Sequence, residues 1–315
     1  MTPEVSVVIP TWNRRVMVGE AIESVLAQRG ADFELIVVDD GSTDATGDEL
    51  ARRAEISGGR MRLAATRNRG VAAARNMGAA MARAPMVAFL DSDDLWSPGK
   101  LACQLAFMRA RPDCAICQTE EIWMRTGRRI NAGIRNRKRA GDIFFDSLRT
   151  CLISPSAVMM RRALFLESGG FDEEMTACED YDLWLRILLR NQAGLLEKPL
   201  VIRRAGHPGQ LSATTPALDR FRILALAKLL AAWDFDDPRR DAVVEVMAEK
   251  CAIFAKGLAR RGDRDRARFF LDTGAAAIAR WRCAPDETLR PAIARMREWL
   301  RDGGAETRSA DTASS

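Results

Sequence analysis

FELIVVDDGSTD (Phe33–Asp44) is an apolar, β-branched run that stops on two carboxylates and a turn. Such residues suit a pleated strand, and Asp, Gly and Ser suit the turn that ends it. The same pattern occurs twice more. VSVVI (Val5–Ile9) runs into PTWN (Pro10–Asn13), and MVAFL (Met86–Leu90) runs into DSDD (Asp91–Asp94). Helical stretches lie between. GEAIESVLAQR puts Ala21, Ile22, Val25 and Leu26 on one stripe, and TRNRGVAAARNMGAAMARA is alanine-rich and stops at Pro85. Ser97 and Pro98 predict the start of a further helix through KLACQLAFMRA. Continuous apolar strands alternating with helices predict an α/β fold with a mostly parallel sheet covered on both faces. Ligands of such sheets bind beyond the carboxyl ends of the strands. The three polar clusters are therefore expected on one edge, around one pocket.

Clustered carboxylates repel, so Asp91, Asp93 and Asp94 need a compensating cation or hydrogen-bond network. A divalent metal bound to a diphosphate would compensate them, since Mg²⁺ and Mn²⁺ favour carboxylate and phosphate oxygens. An Asp-rich turn capping the next helix is the plainer alternative.

Seven segments in order, VSVVIPTWNR, ELIVVDDGSTD, NRGVAAARNMG, FLDSDD, GGFDE, CEDYDLWLR and GHPGQLS, resemble the family 2 glycosyltransferases over roughly residues 4–215. The resemblance implies a GT-A fold and inverting transfer of a sugar from a nucleotide-diphosphate donor, a UDP-sugar, to a hydroxyl of a glycan or lipid-linked acceptor. It implies donor contacts from Pro10, Thr11, Asn13, Asp40, Arg75, Asp91 and Ser92. Asp40 would accept from the uracil imide, and Arg75 would face the phosphates or the pocket floor. The D-x-D match implies Mn²⁺ or Mg²⁺ on Asp93, with Asp91 and His207. Asp180 is implied as general base, with Glu179 and Trp184 toward the acceptor. Acids in a first helical turn also favour the macrodipole, a structural role open to the same residues. Two rivals fit less well. A D-x-D phosphatase would want Thr or Val where Leu95 stands, and a nucleotide-sugar-binding protein without activity would not need the full acid set.

The resemblance divides the chain into a transferase domain (1–215), with a nucleotide-binding half to about 115 and an acceptor half from 116. A helical region (216–301) and a disordered tail (302–315) follow. The 315 residues carry a formal charge of +5, with seven Arg/Lys and no acid across 125–139. Such a run is read as a solvated face, a mobile lid or a site for an anionic acceptor, not for nucleic acid. Seven scattered cysteines and one histidine predict reduced thiols rather than zinc. With no apolar run of membrane-spanning length and no signal peptide at the N-terminus, the reading is a cytoplasmic protein, at most peripheral to the inner face of a membrane.

Overall fold

A computed structural model describes residues 2–131, 133, 137–207, 209–210, 215, 217–280 and 289–301. The 302–315 tail, part of the basic run at 125–139 and Cys283 lie outside them. Contacts divide the chain into two compact units, Met1–Thr214 and Thr215–Ser315.

In the first unit β1 (Val5–Thr11), α1 (Arg15–Leu26), β2 (Phe33–Asp39), α2 (Thr46–Ile56), β3 (Met61–Ala65), α3 (Val71–Met81) and β4 (Met86–Phe89) alternate. These four strands run parallel in the order β3-β2-β1-β4. Val5 pairs with Phe33 and Thr11 with Asp39, so β1 and β2 end together. The Asp40 N–H then donates to the Thr11 carbonyl at 2.8 Å, and the Leu90 N–H to Val8 at 2.9 Å. PTWN, DDGSTD and DSDD thus share one edge, as the strand pattern predicts. The strand β3 has no counterpart in that pattern. It is an edge strand whose side chains alternate between half-buried and exposed, and its arginine and alanines carry little apolar signal.

Beyond β4 the sheet turns mixed. The remaining strands are β5 (Leu95–Trp96), β6 (Ile116–Arg125), β7 (Arg128–Ile130), β8 (Val158–Arg161) and β9 (Gly194–Ala205). Among the described residues the sheet has nine strands, with β8 antiparallel to both β4 and β6, and β9 parallel to β6. The helices here are α4 (Lys100–Arg109), α5 (Phe144–Arg149), α6 (Arg162–Glu167) and α7 (Glu179–Leu188). Odd positions of β1 (Val5, Val7, Ile9) pack with α1 and α4 residues, and Ile36 and Val38 of β2 pack with Ala74 of α3 on the other face. Gly78 lets α3 approach closely, since a Cβ there would lie 2.4 Å from Val8 Cγ1. α4 begins after the left-handed Gly99 (φ 82°), not at Ser97–Pro98, where the Gln28 side chain bridges the Ser97 carbonyl at 2.9 Å and the Leu101 N–H at 3.2 Å.

The second unit is helical: α8 (Asp219–Ala232), α9 (Asp237–Arg260), α10 (Arg264–Arg280) and a helical segment 289–301. Asp236 caps α9 by accepting from the Arg239 N–H at 2.9 Å. α9 and α10 pack as a hairpin, with Phe254 edge-on to Phe270 at 4.7 Å and Gly274 admitting Cys251.

A buried cation lies near the start of α4. Lys100 is fully buried, donates to Gln104 Oε1 at 2.6 Å and lies 3.9 Å from the centre of the Trp96 ring. No carboxylate pairs with it among the described contacts. Burial lowers its pKa from the ordinary 10.5 to about 7, and a neutral amine can still make both contacts. The unfolded chain holds this proton up to about pH 10.5. Between pH 7 and 10.5 it therefore binds more protons than the folded one, and stability rises with pH. Wild type is expected to gain roughly 2.5 kcal/mol from pH 7 to pH 9 relative to Lys100→Met. Urea melts of both proteins at the two pH values measure this. Parallel pH profiles would show that Lys100 stays charged in the core.

Candidate active site

The first strand end is knotted to the second. Asn13 is left-handed (φ 49°). Its Oδ1 accepts from the Thr43 N–H at 2.7 Å, its Nδ2 donates to Thr43 Oγ1 at 3.2 Å, and its N–H donates to Ser42 Oγ at 2.9 Å. The Asn13 carboxamide thereby fixes the loop after β2. Asp39 takes the Ser42 N–H at 3.0 Å. Asp40 is buried and accepts the N–H groups of Arg69 and Gly70, each at 2.7 Å, which fixes the loop entering α3. Pro10 and Thr11 are buried at the end of β1, and Thr11 Oγ1 has no hydrogen-bond partner among the described residues. Beside them the Trp12 ring is 48% exposed.

The third strand end carries the acids. One ligand atom from each of Asp91, Asp93 and Asp94 falls within 4.8 Å of the others. Ser92 is buried between them. Asp94 is almost fully buried. It accepts from Ser156 Oγ at 2.6 Å and from the Arg204 N–H at 3.1 Å, and it lies 3.8 Å from Arg203. Among the described contacts it caps no helix and instead ties the turn before β8, and β9, to the acidic loop. Burial pushes Asp94 up to about 7 against the pull of Arg203, and the charges of Asp93 and Asp91 add to the rise. Asp93 behaves oppositely. Burial alone would raise it, but Arg14 and then His207 hold it below the usual carboxylate range. Arg14 Nη1 is 2.6 Å and His207 Nε2 2.8 Å from Asp93 Oδ2. The carboxylates of Asp91, Asp93 and Asp94 form a donor set that fits a hard divalent cation, with the His207 imidazole beside it on Asp93.

One arginine joins this edge to helix α7. Arg75, buried in α3, donates from Nη2 to Asp91 Oδ1 and from Nη1 to Glu179 Oε1, each at 2.6 Å. Its guanidinium also lies 5.1 Å from the centre of the Phe171 ring. With a buried Nε that has no hydrogen-bond partner among the described residues, Arg75 commits both of its Nη atoms to carboxylates. It clamps two carboxylates 88 residues apart in the chain, which no local pattern reveals. Glu179 is buried, and burial pushes its carboxyl up against the pull of Arg75. Next to it Asp180 remains partly exposed. Its Oδ1 accepts its neighbour Tyr181's N–H at 2.7 Å, and its Oδ2 lies 3.5 Å from Cys151 Sγ. Trp184 is a core residue, edge-on to Phe171 at 6.0 Å and 2% exposed.

Further residues of the site carry no clear sequence signal. Lys138, the buried member of the basic run, donates to Ser154 Oγ at 3.0 Å and pairs with Glu121 at 3.3 Å, so this part of the run is neither solvated nor a free lid. Arg203 lies over Trp123 at 4.9 Å. Arg14 is the one residue a reader could have flagged, since it directly follows the PTWN turn.

The mixed sheet, its shared edge of acids and the flanking helices define a GT-A fold, and solved structures agree. The first 349 residues of S. aureus TarS, crystallised with UDP-GlcNAc, superpose with a TM-score of 0.66 at 18% identity, covering 87% of this chain and 91% of that one. The chain matches Glycosyl transferase family 2 over residues 6–169, and it belongs to that family. It is 42% identical over 188 residues to the putative teichuronic acid biosynthesis glycosyltransferase TuaG of Bacillus subtilis, covering 59% of this chain and 72% of TuaG. It is 31% identical over 195 residues to the UDP-Glc:alpha-D-GlcNAc-diphosphoundecaprenol beta-1,3-glucosyltransferase WfgD of Escherichia coli, covering 59% and 70%. Against uncharacterised Rickettsia glycosyltransferases at 34–36% identity it spans 28–32% of their length. Among the described residues no helix is long and apolar enough to cross a membrane.

Proposed function

We propose that this chain is an inverting glycosyltransferase that moves a sugar from a UDP-sugar to a hydroxyl of a glycan or lipid-linked acceptor at the cytoplasmic face of a membrane. The observation that carries this reading is the Arg75 clamp. Glu179, next to the proposed base Asp180, and Asp91, one of the proposed metal ligands, are held by the two ends of one guanidinium. The clamp supports a base and a diphosphate site close together, as displacement at an anomeric carbon requires.

The residues then divide the work. Thr11, with its unpartnered hydroxyl, and the exposed Trp12 ring flank the space for a nucleoside. Asp40 and Asn13 act through the loops they fix, leaving Asp40's remaining lone pairs for a uracil imide. Asp93, Asp91 and His207 would hold the divalent cation, which when bound supplies Lewis-acid stabilisation of the leaving diphosphate. Asp180 takes the proton of the acceptor hydroxyl at a carboxylate oxygen. The acceptor oxygen forms a bond to the anomeric carbon as the bond to the diphosphate oxygen breaks, which inverts that carbon and releases UDP. The lipid-linked acceptor is favoured by the likeness to WfgD, whose name gives a diphosphoundecaprenol acceptor and a UDP-sugar donor.

Thermal shift with UDP-, dTDP- and GDP-sugars, each with and without Mn²⁺, tests the reading. At a hundredfold excess over Kd, a UDP-sugar with Mn²⁺ is expected to raise the Tm by roughly 5–10 °C. Asp93→Asn is expected to remove the Mn²⁺-dependent part of that rise. A Tm that no nucleotide-sugar moves would count against an enzyme of this class.

A further inference from the structure

The Arg14 guanidinium is committed twice. Nη1 meets Asp93 Oδ2 at 2.6 Å, and Nη2 donates to the Gly209 carbonyl at 2.8 Å. His207 Nε2 meets the same Asp93 oxygen at 2.8 Å. A carboxylate oxygen has two in-plane lone pairs, so both directions at Oδ2 are taken. They are taken by the imidazole that would share a cation with Asp93 and by the Arg14 guanidinium. A divalent ion coordinated at Oδ2 would compete for the direction that Arg14 now holds.

We propose that Arg14 is the resident counter-cation of Asp93, which a divalent metal must displace to bind. The same guanidinium straps the backbone at Gly209, two residues past His207, to the acidic loop until the metal arrives. This rests on the reading of Asp93 as a metal ligand. Arg14 is built to let go. Its backbone N–H is anchored on Thr46 Oγ1 at 3.1 Å, while its side chain is 20% exposed and can leave toward water. Neighbouring Arg204 does not compete in this way. It donates to the Asp93 backbone carbonyl and pairs with Glu20, and so holds the chain rather than the carboxylate.

The test is a Mn²⁺ titration of the full chain without donor, reading free Mn²⁺ by electron paramagnetic resonance. The proteins are wild type, Arg14→Gln, Arg14→Lys and Asp93→Asn. Arg14→Gln removes the competing charge and is expected to bind Mn²⁺ about tenfold tighter, the factor that about 1.4 kcal/mol represents. Arg14→Lys keeps the charge and is expected to stay near wild type. Unchanged or weaker binding in Arg14→Gln overturns the proposal, as does equal tightening in both Arg14 variants, because charge would then not be what competes. Asp93→Asn separates the two readings. If it binds Mn²⁺ as well as wild type, the metal assignment itself fails. If it loses Mn²⁺ while Arg14→Gln does not tighten, only the role of Arg14 fails.

Discussion

Asp180→Asn is expected to lower the rate of sugar transfer by about 10²–10⁴-fold, the range that a positioned general base contributes. Asparagine has the same shape and can still accept the Tyr181 N–H that Asp180 Oδ1 holds at 2.7 Å. It cannot take a proton from an alcohol. The loss is therefore expected in kcat, with donor binding and melting temperature close to wild type. Asp180 suits the role better than its neighbour does. Glu179 is buried and held by Arg75 at 2.6 Å, whereas Asp180 keeps partial exposure and lies beside the Cys151 thiol rather than a cation. Mass spectrometry of the glycosylated acceptor measures the rate, and the donor-dependent Tm rise checks that the pocket is intact. Transfer within about threefold of wild type would sink the assignment, because that is far below what a base supplies.

Arg75→Met is the substitution expected to cost most stability, about 3–5 kcal/mol, because it breaks a buried ion pair and leaves a partner behind. Methionine keeps much of the volume against Phe171 but no charge. Glu179 would then be buried beside Asp180 with no cation in contact, and Asp91 would lose a 2.6 Å partner. Chemical denaturation measures the loss. The double variant Arg75→Met/Glu179→Gln is expected to recover part of it, since the uncompensated acid is gone. If the double variant is no more stable than Arg75→Met, packing rather than charge sets the cost. A single variant within 1 kcal/mol of wild type would show that the clamp contributes little.

Arg75 also shows where reading the sequence stops. Its place in an alanine-rich helix near the ligand edge follows from periodicity, because Ala72, Ala73 and Ala74 are small and bury a close helix. Its partners do not. Asp91 is 16 residues away and Glu179 is 104, and a guanidinium can reach either only after β4 and α7 have packed. The same holds for Trp184. Helical spacing puts it on the buried face of α7, yet a motif alone cannot distinguish a buried tryptophan from one that greets a substrate.

The sequence by itself determined the parallel strands β1, β2 and β4, their polar ends on one edge, the acids of the D-x-D turn and the family to which they belong. Those features are local: runs of apolar residues, turn chemistry and helical period act over a few residues and leave their mark in order. Tertiary structure decided which charges meet. It gave Arg75 to two carboxylates, Asp94 to Ser156 and Arg204, Lys138 to Glu121, and Arg14 to Asp93. Ion pairs between residues far apart in the chain follow no sequence period and bridge whatever the packed core brings within reach, so their partners are settled only when the sheet closes.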